Sequence, residues 1–456
     1  MKPPKMWVHQ RETDRELRKT PLFFDMSDPG TGKTRPAIHN IARRGGRTLV
    51  IAVKSNLDAV WANEIRAWEP GLVPVTAYAE NRKAAFTSVY ADVIITNIDA
   101  TPWIKAQGIS WFNKLGIRNL IFDESTHFKN TKTARSKAAL WIRERKGIES
   151  VELMSGTPNP ISVTELWHQM MLLDLGERLG KSFYAFRNAV CEPEQVRVSP
   201  IKTVTKWHDL PDAEQAVFSI IAPVSIRHEF ERCRSIPANT VRYIDIDLPP
   251  KLRAEYDLLE RTSILEHAKD PIVGTNAAVL RGKMLQLCSG SAYSTEGRYR
   301  VFDRSRIELV ADLIEERRHP SVSFYCWQHQ RDLLLEELKK RGIEGHTIES
   351  RKRGQTAELV AAFQRGEIRH LCLHPKTGAH GLTLTAGRTT IWCSPVPSPE
   401  WFIQGNHRIH RGGQKHRTET ICVRARRTVE DVVYEMMEGR KRRMDNFLDL
   451  IAESRR

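Results

Sequence analysis

Short apolar runs alternate with longer amphipathic stretches in the first part of the chain, and the same rhythm returns near its end. Thr48-Leu-Val-Ile-Ala-Val53, Asp92-Val-Ile-Ile-Thr96 and Leu120-Ile-Phe-Asp123 carry it first; Val322-Ser-Phe-Tyr-Cys-Trp327, His370-Leu-Cys-Leu373 and Thr389-Thr-Ile-Trp-Cys393 carry it later. Each run is short, rich in β-branched or aromatic residues, and flanked by polar residues or glycine, which predicts buried strands rather than buried helices. Strands that alternate with helices pair in parallel, so each part predicts a doubly wound α/β sheet.

Residues 165–300 read differently. Glu165-Leu-Trp-His-Gln-Met-Met-Leu-Leu173 and Leu252-Arg-Ala-Glu-Tyr-Asp-Leu-Leu-Glu260 place apolar residues at helical spacing, and the stretch is expected to be mostly helical. A break rich in proline and polar residues, from Ser235-Ile-Pro-Ala-Asn239 to Leu248-Pro-Pro250, predicts a boundary near residue 240, since proline ends helices and stiffens connections. The expected domains are therefore 1–240 and 241–456. Helices are predicted from Arg306 to Glu316 and from Gln330 to Lys340, around the strand at 322–327, and again from Val429 to Leu450.

Composition narrows the class. The 456 residues exceed one ordinary core, and 40% hydrophobic with 28% charged residues is a globular balance without a disordered block. A net charge of +16 calls for an acidic partner. Nucleic acid fits better than a membrane, because no basic amphipathic anchor and no apolar run near ~18 residues is present. The seven cysteines are scattered and form no CxxC pair, which speaks against a disulfide framework or a zinc ribbon and for a reducing cytoplasm. Cys372/His374 and His407/His410 lack a matched second half for zinc. The amino-terminal segment carries no signal-peptide pattern, so an unprocessed, cytoplasmic protein is expected.

Three constellations carry chemistry. Ser27-Asp-Pro-Gly-Thr-Gly-Lys-Thr34 follows the apolar Leu22-Phe-Phe24 and precedes a predicted helix, the setting in which backbone amides and a helix dipole cradle phosphate. Gly30 and Gly32 allow close wrapping, Lys33 reaches toward the β- and γ-phosphates, and the Thr34 hydroxyl suits Mg²⁺. The strict P-loop pattern wants glycine where Ser27 stands. Asp123-Glu124 ends an apolar strand with adjacent carboxylates, one suited to Mg²⁺ and the other to polarising an attacking water. The run Gln404-Gly-Asn-His-Arg-Ile-His-Arg-Gly-Gly-Gln414 puts Arg408 and Arg411 on one helical turn, where two fixed guanidinium charges want an anion such as a triphosphate.

Taken in order from Gln10 to about Arg440, these motifs resemble those of superfamily 2 helicases, and specifically the Snf2-type ATPases. His9-Gln10 is similar to the adenine-reading Q motif. Trp61-Ala-Asn-Glu64 with Trp68, following Val53-Lys54, resembles the continuation of motif Ia, and Asp92–Thr96 resembles motif Ib. Asp123-Glu-Ser-Thr-His-Phe-Lys-Asn130 is similar to motif II, with the Lys129-Asn130 ending typical of Snf2 proteins. Ser155-Gly-Thr-Pro158 and Glu165-Leu-Trp167 resemble motif III and its continuation, Lys376–Leu384 motif V, and Gln404–Gln414 motif VI. Thr126 stands where motif II usually has histidine, the residue through which it reaches motif III. Ala379 replaces a glycine and Thr383 an asparagine of motif V.

The resemblance implies two RecA-like doubly wound lobes with helical Snf2-type insertions. It implies Glu124, Lys33, Arg408, Arg411 and Gln404 as catalytic residues. ATP is expected on Gln10, Asp28, Gly30, Thr31, Gly32, Lys33, Thr34 and Asp123, and Mg²⁺ on Thr34 and Asp123. Lys54, Thr96, Lys376 and Thr377 are expected to face DNA phosphates, which fix register without reading sequence. Trp61, Trp68 and Trp327 are expected in the core rather than stacked on bases. The implied activity is DNA-dependent ATP hydrolysis coupled to translocation, with duplex DNA favoured over a single strand. Strand separation, branch migration or annealing is the alternative within enzymes, and a non-hydrolysing nucleic-acid adaptor the alternative outside them. A monomer is expected, targeted by a protein partner or by DNA structure, and similar to compact stand-alone bacterial or bacteriophage members.

Overall fold

The computed structural model describes residues 5–159, 161–199, 202–233, 236–265, 271–348, 353–378, 382–396 and 398–453. Contacts divide the chain into one unit of residues 1–235 with 440–456, and another of residues 236–439.

In the first unit the apolar runs become a parallel sheet. Its strands are β1 Leu22–Asp25, β2 Arg47–Ala52, β3 Pro74–Ala77, β4 Val93–Asn97, β5 Ile117–Asp123 and β6 Ser150–Met154. An antiparallel ribbon follows, β7 Cys191–Ser199 with β8 Lys202–Asp209, and then β9 Ser225–Ile226. The sheet order is β3-β4-β2-β5-β6-β1-β9. Helices cover it because the strands are apolar on both faces: Val50, Ala52, Val93, Ile95 and Ile121 pack with Ala37, Ile38 and Ile41 of the helix Thr34–Arg44 and with Trp61.

The second unit begins with β10 Asn239–Ile246, followed by two small hairpins, β11 Ile264–Leu265 with β12 Ile272–Val273 and β13 Ser291–Tyr293 with β14 Tyr299–Val301. Then come β15 Ser321–Phe324, β16 Gly345–Thr347, β17 His370–Leu373, β18 Thr389–Trp392 and β19 Thr418–Ala425. The parallel sheet runs β10-β19-β18-β15-β17-β16. Strand alternation divides its residues between two cores. Val322, Phe324, Leu371, Leu373 and Trp392 face one, while Cys372, Ile391, Ile421 and Val423 face the other. Phe324 and Trp392 stack with centroids 4.4 Å apart. The helix Ser305–Glu315 is fastened by a bidentate ion pair between the buried Arg306 and Glu430; removing one partner of such a pair costs roughly 3–5 kcal/mol.

One expectation is corrected. Residues 165–300 are not mostly helical: the ribbon, β9, β10 and both hairpins lie within them. Between Glu192 and Asp209 the described side chains of the ribbon are exposed or half-buried on both faces, so no apolar run announces it. The proline-flanked break holds β10, an edge strand paired in parallel with β19 along its whole length. Its polar composition is that of an exposed edge, and cross-strand ion pairs Arg242–Glu419 and Arg424–Asp245 hold it in register. The predicted helices appear as Ser305–Glu315, Gln328–Lys340 and Val429–Glu453. Among the described residues, no helix is long and apolar enough to cross a membrane.

Candidate active site

The three candidate motifs of the first unit leave adjacent strands at one level. Asp25 of β1 and Asp123 of β5 are both in register with Met154 of β6 between them. The loops after these strands therefore meet at the carboxyl edge of the sheet, where doubly wound folds bind nucleotides.

After β1, Gly30 and Gly32 adopt left-handed φ of 87° and 76°, which glycine does without steric cost. A Cβ on Gly32 would lie 2.6 Å from the Gln10 amide nitrogen and 3.1 Å from Trp7. Gln10 Nε2 donates to the Gly32 carbonyl (3.0 Å), and the His9 ring lies 2.8 Å from the Thr31 carbonyl. Lys33 Nζ donates to the carbonyls of Ser27 (2.5 Å) and Asp28 (3.2 Å), and among the described residues it has no carboxylate partner. Thr34 opens the helix Thr34–Arg44. A helix N-terminus, permissive glycines and a lysine without a counter-ion suit a polyphosphate.

The back of this loop is held by residues that sequence reading missed. Ser27 is buried, and its hydroxyl accepts from the backbone N–H of His228 (3.0 Å). The side chain that departs from the strict pattern is thus a structural anchor. Asp28 accepts from Arg227 Nη2 (3.2 Å) and from the backbone N–H of Phe230 (3.0 Å). Its carboxylate fixes the loop to the segment after β9. Only the pairing of β9 with β1 brings these distant residues together.

After β5, Asp123 Oδ2 accepts from Trp61 Nε1 (3.0 Å) and Asn56 Nδ2 (3.3 Å). Trp61 is fully buried, as expected of a core residue, and it also orients the carboxylate. It sits on a six-residue π-helical turn, Leu57–Ala62, a geometry frequent at functional sites. Glu124 has φ 55° and ψ 56°, a left-handed conformation costing of order 1–3 kcal/mol for a residue with a side chain. Such a conformation persists only where the surrounding structure over-determines the backbone. Thr34 and Asp123 offer hard oxygen donors of the kind Mg²⁺ takes. Among the described residues, no three His, Cys, Asp or Glu side chains gather into a metal cage.

Thr126 keeps motif II tied to motif III without the usual histidine. Its Oγ1 lies 2.6 Å from Ser155 Oγ and donates to the Thr157 carbonyl (2.9 Å). Ser125 donates to Gln169 Oε1 (2.7 Å), and Gln169 Nε2 donates to the Pro158 carbonyl (2.7 Å). Lys129 pairs with Glu165 at 2.7 Å. Burial pushes the pKa of the buried His168 ring down to about 4, so it is neutral. Gly156 abuts the P-loop: a Cβ there would lie 2.6 Å from Pro29 Cδ.

In the second unit, Arg408 is buried and Arg411 half-buried. Arg408 Nη1 (3.2 Å) and Arg411 Nη1 (3.0 Å) both donate to the Leu382 carbonyl, while Arg408 Nε donates to the Gln404 carbonyl (2.9 Å). Motif VI is thus bound to the backbone of motif V. Gln404 is buried, with no hydrogen-bond partner for Oε1 among the described residues. The other members of the run frame the arginines. A Cβ on Gly405 would strike Trp392 at 2.8 Å, and Gln414 Nε2 donates to the carbonyls of Thr385, Gly387 and Ile409.

The residues expected on a DNA track part company. Lys54 is exposed, with its ammonium 4.8 Å from the Tyr78 ring centroid, and Lys376 is exposed on the short helix Pro375–Gly378. Thr377 belongs to that helix, but its side chain and Ala379 lie outside the described residues. Thr96 is corrected: it is fully buried in β4, and its hydroxyl donates to the Ala77 carbonyl across to β3 (2.8 Å), away from any phosphate.

The SNF2-related domain model matches residues 10–287, and the helicase conserved C-terminal domain model matches residues 305–413. Protein p41 of Acyrthosiphon pisum secondary endosymbiont phage 1 is 25% identical over 453 residues, covering 95% of each chain. SWI/SNF-related matrix-associated actin-dependent regulator of chromatin subfamily A-like protein 1 of Xenopus tropicalis is 25% identical across 90% of this chain and 41% of that protein. YwqA of Bacillus subtilis (strain 168), of helicase/translocase class, is 25% identical across 92% of this chain and 46% of its own length. The chain thus spans nearly all of the phage protein but under half of the other two. Among solved structures, the Sulfolobus solfataricus SWI2/SNF2 ATPase core in complex with dsDNA is similar at 17% identity and TM-score 0.44, covering 99% of this chain and 97% of that one. With both domain models matched in order and the motif residues gathered as described, the chain belongs to the Snf2-type superfamily 2 helicase/ATPase family.

Proposed function

We propose that this protein is a Mg²⁺-dependent, DNA-stimulated ATPase that converts hydrolysis into translocation along duplex DNA. The observation that carries the reading is the level ending of β1, β6 and β5, with Thr126 hydrogen-bonded to Ser155 across their loops. Nucleotide chemistry and the segment after motif III are then mechanically one piece.

In this reading Gln10 and the backbone of Gly30–Thr34 bind ATP, and Lys33 leaves its loop carbonyls for the β- and γ-phosphates. Mg²⁺, held by Thr34 and Asp123, would neutralise phosphate charge. Glu124 orients a water for in-line attack on the γ-phosphorus and accepts its proton, as the bond to the β-phosphate oxygen breaks and ADP and phosphate leave. Arg408 and Arg411 exchange the Leu382 carbonyl for the γ-phosphoryl oxygens, a role worth on the order of 10³–10⁵ in rate in related NTPases. Gln404 assists from the helix Pro399–Asn406, which ends before the two arginines and leaves them on the turn that follows it rather than on a helical turn. Lys54 and Lys376 are the exposed cations we assign to DNA phosphates, and a protein partner is proposed to supply targeting.

ATPase rates with duplex DNA, single-stranded DNA and RNA over a salt series test this. Duplex should stimulate most, and stimulation at subsaturating DNA should fall steeply with salt, since affinity drops by about 0.9 log units per log unit of salt for each neutralised phosphate. Glu124→Gln should bind nucleotide but not turn over. Stimulation by RNA alone, salt-independent stimulation, or an active Glu124→Gln enzyme would each refute the corresponding part.

A further inference from the structure

The second unit gathers cations at the edge of its sheet opposite motif V. Ser321, Thr389 and Glu419 lie in register on β15, β18 and β19, so the residues just before them share the amino-terminal edge. There an open cleft of about 430 Å³ is lined by Arg318, His319, Arg388, Lys415 and His416, with Gln364 and Thr385 among its polar walls. Among the described residues, no carboxylate lines it. Among the described residues, Arg318, Arg388 and Lys415 make no ion pair, and nearby Glu419 is already committed to Arg317 and Arg242. Burial and the neighbouring charges of Arg388, His416 and Arg317 push the His319 pKa down, which places these groups within electrostatic reach of one another.

The walls are tied together by hydrogen bonds. Gln364 Nε2 donates to Thr385 Oγ1 (3.0 Å), and its Oε1 accepts from the Ala386 backbone (2.9 Å). The Arg388 N–H donates to the Pro320 carbonyl (3.0 Å). Gln414 ties Thr385 and Gly387 to the motif VI loop. Like charges held together without counter-ions raise the energy of the free protein, and an anion relieves it. One phosphate ion would leave most of them uncompensated, whereas a polyanion running through the open cleft meets several. Among its described lining residues there is no tryptophan, tyrosine or phenylalanine to stack a base.

We propose that this cleft binds the phosphodiester backbone of DNA, as a second anchor on the edge of the sheet opposite Lys376. The identity of the polyanion rests on the proposed DNA-motor function. The full-length chain with Arg318→Gln, Arg388→Gln and Lys415→Gln together is compared with wild type for affinity to a mixed-sequence duplex over a salt series. Binding at low salt should weaken by about tenfold or more, and the log–log salt slope should become shallower by about 2–3, near 0.9 per lost phosphate contact. ATPase without DNA, and kcat at saturating duplex, should not change. Should the triple variant unfold, Lys415→Gln alone is expected to lower the slope by about 1. Unchanged affinity and slope overturn the proposal. So does wild-type binding of inorganic phosphate, lost in the variant, with duplex affinity intact, because the cleft would then be a free-phosphate site. A weakened variant beside a wild type whose ATPase ignores DNA supports the cleft and refutes the motor.

Discussion

Ser27 and Thr126 show how a motif residue can change type while its job passes to another atom. Each hydroxyl fills a position where a different residue is usual, and each makes a hydrogen bond, part-buried at Ser27 and buried at Thr126, that fastens its loop. The titration of Glu152 on β6 bears on stability. This side chain is buried beside Asp25, and burial followed by that carboxylate raises its pKa to about 8. The folded chain keeps the proton up to about pH 8, whereas the unfolded chain loses it near 4.5. Unfolding between these values releases a proton, so stability should fall as pH rises through that window, by a few kcal/mol in all. Glu152→Gln should flatten this dependence and be the more stable chain at pH 8, as read by denaturant titration at several pH values. Parallel curves for the two proteins would show that Glu152 ionises normally.

At the scale of elements, the site is made by strand ends and by the glycines that let neighbours approach. Gly156 in the loop after β6 lies against Pro29 in the loop after β1. Gly156→Ala must push the P-loop aside, an overpacking that costs about 1–3 kcal/mol. The expected result is weaker ATP binding together with a lower melting temperature, measured by nucleotide titration and thermal unfolding; wild-type values in both would mean the two loops adjust independently. The ribbon β7–β8 is attached to the same region. Asp209 at its root accepts from Ser162 Oγ (2.6 Å) and the Val163 N–H (3.0 Å) on the segment leading out of motif III, and Arg187 lies 3.6 Å from the Trp207 ring centroid. Its direction is therefore set by motif III.

For the whole molecule, the proposed chemistry divides between units: the P-loop and carboxylates belong to residues 1–235, the two arginines to residues 236–439. Binding and hydrolysis should then separate by mutation. Arg411→Ala is expected to retain ATP affinity within a few-fold and to lose turnover by about 10³-fold or more, as measured by nucleotide binding beside steady-state ATPase. Loss of binding and turnover together would place Arg411 in the ground-state site. The net charge of +16 acts at this scale too. It draws the chain to a polyanion, while clusters such as Arg318, Arg388 and Lys415 decide where the polyanion sits.

The sequence by itself determined the parallel-sheet architecture, because buried strands must be short, apolar and punctuated. The proposed phosphate loop, adjacent carboxylates and paired arginines were also legible in it, because each chemistry needs particular atoms at close spacing along the chain. The tertiary structure alone decided what depends on distant partners. His228, Arg227 and Phe230 support the P-loop only because β9 lies beside β1. Trp61 orients Asp123 from another loop, and Thr96 is withdrawn from DNA because β3 covers it. Exposed strands such as β7, β8 and β10 were hidden for a related reason: the hydrophobic pattern records burial, and a strand that buries little leaves little trace.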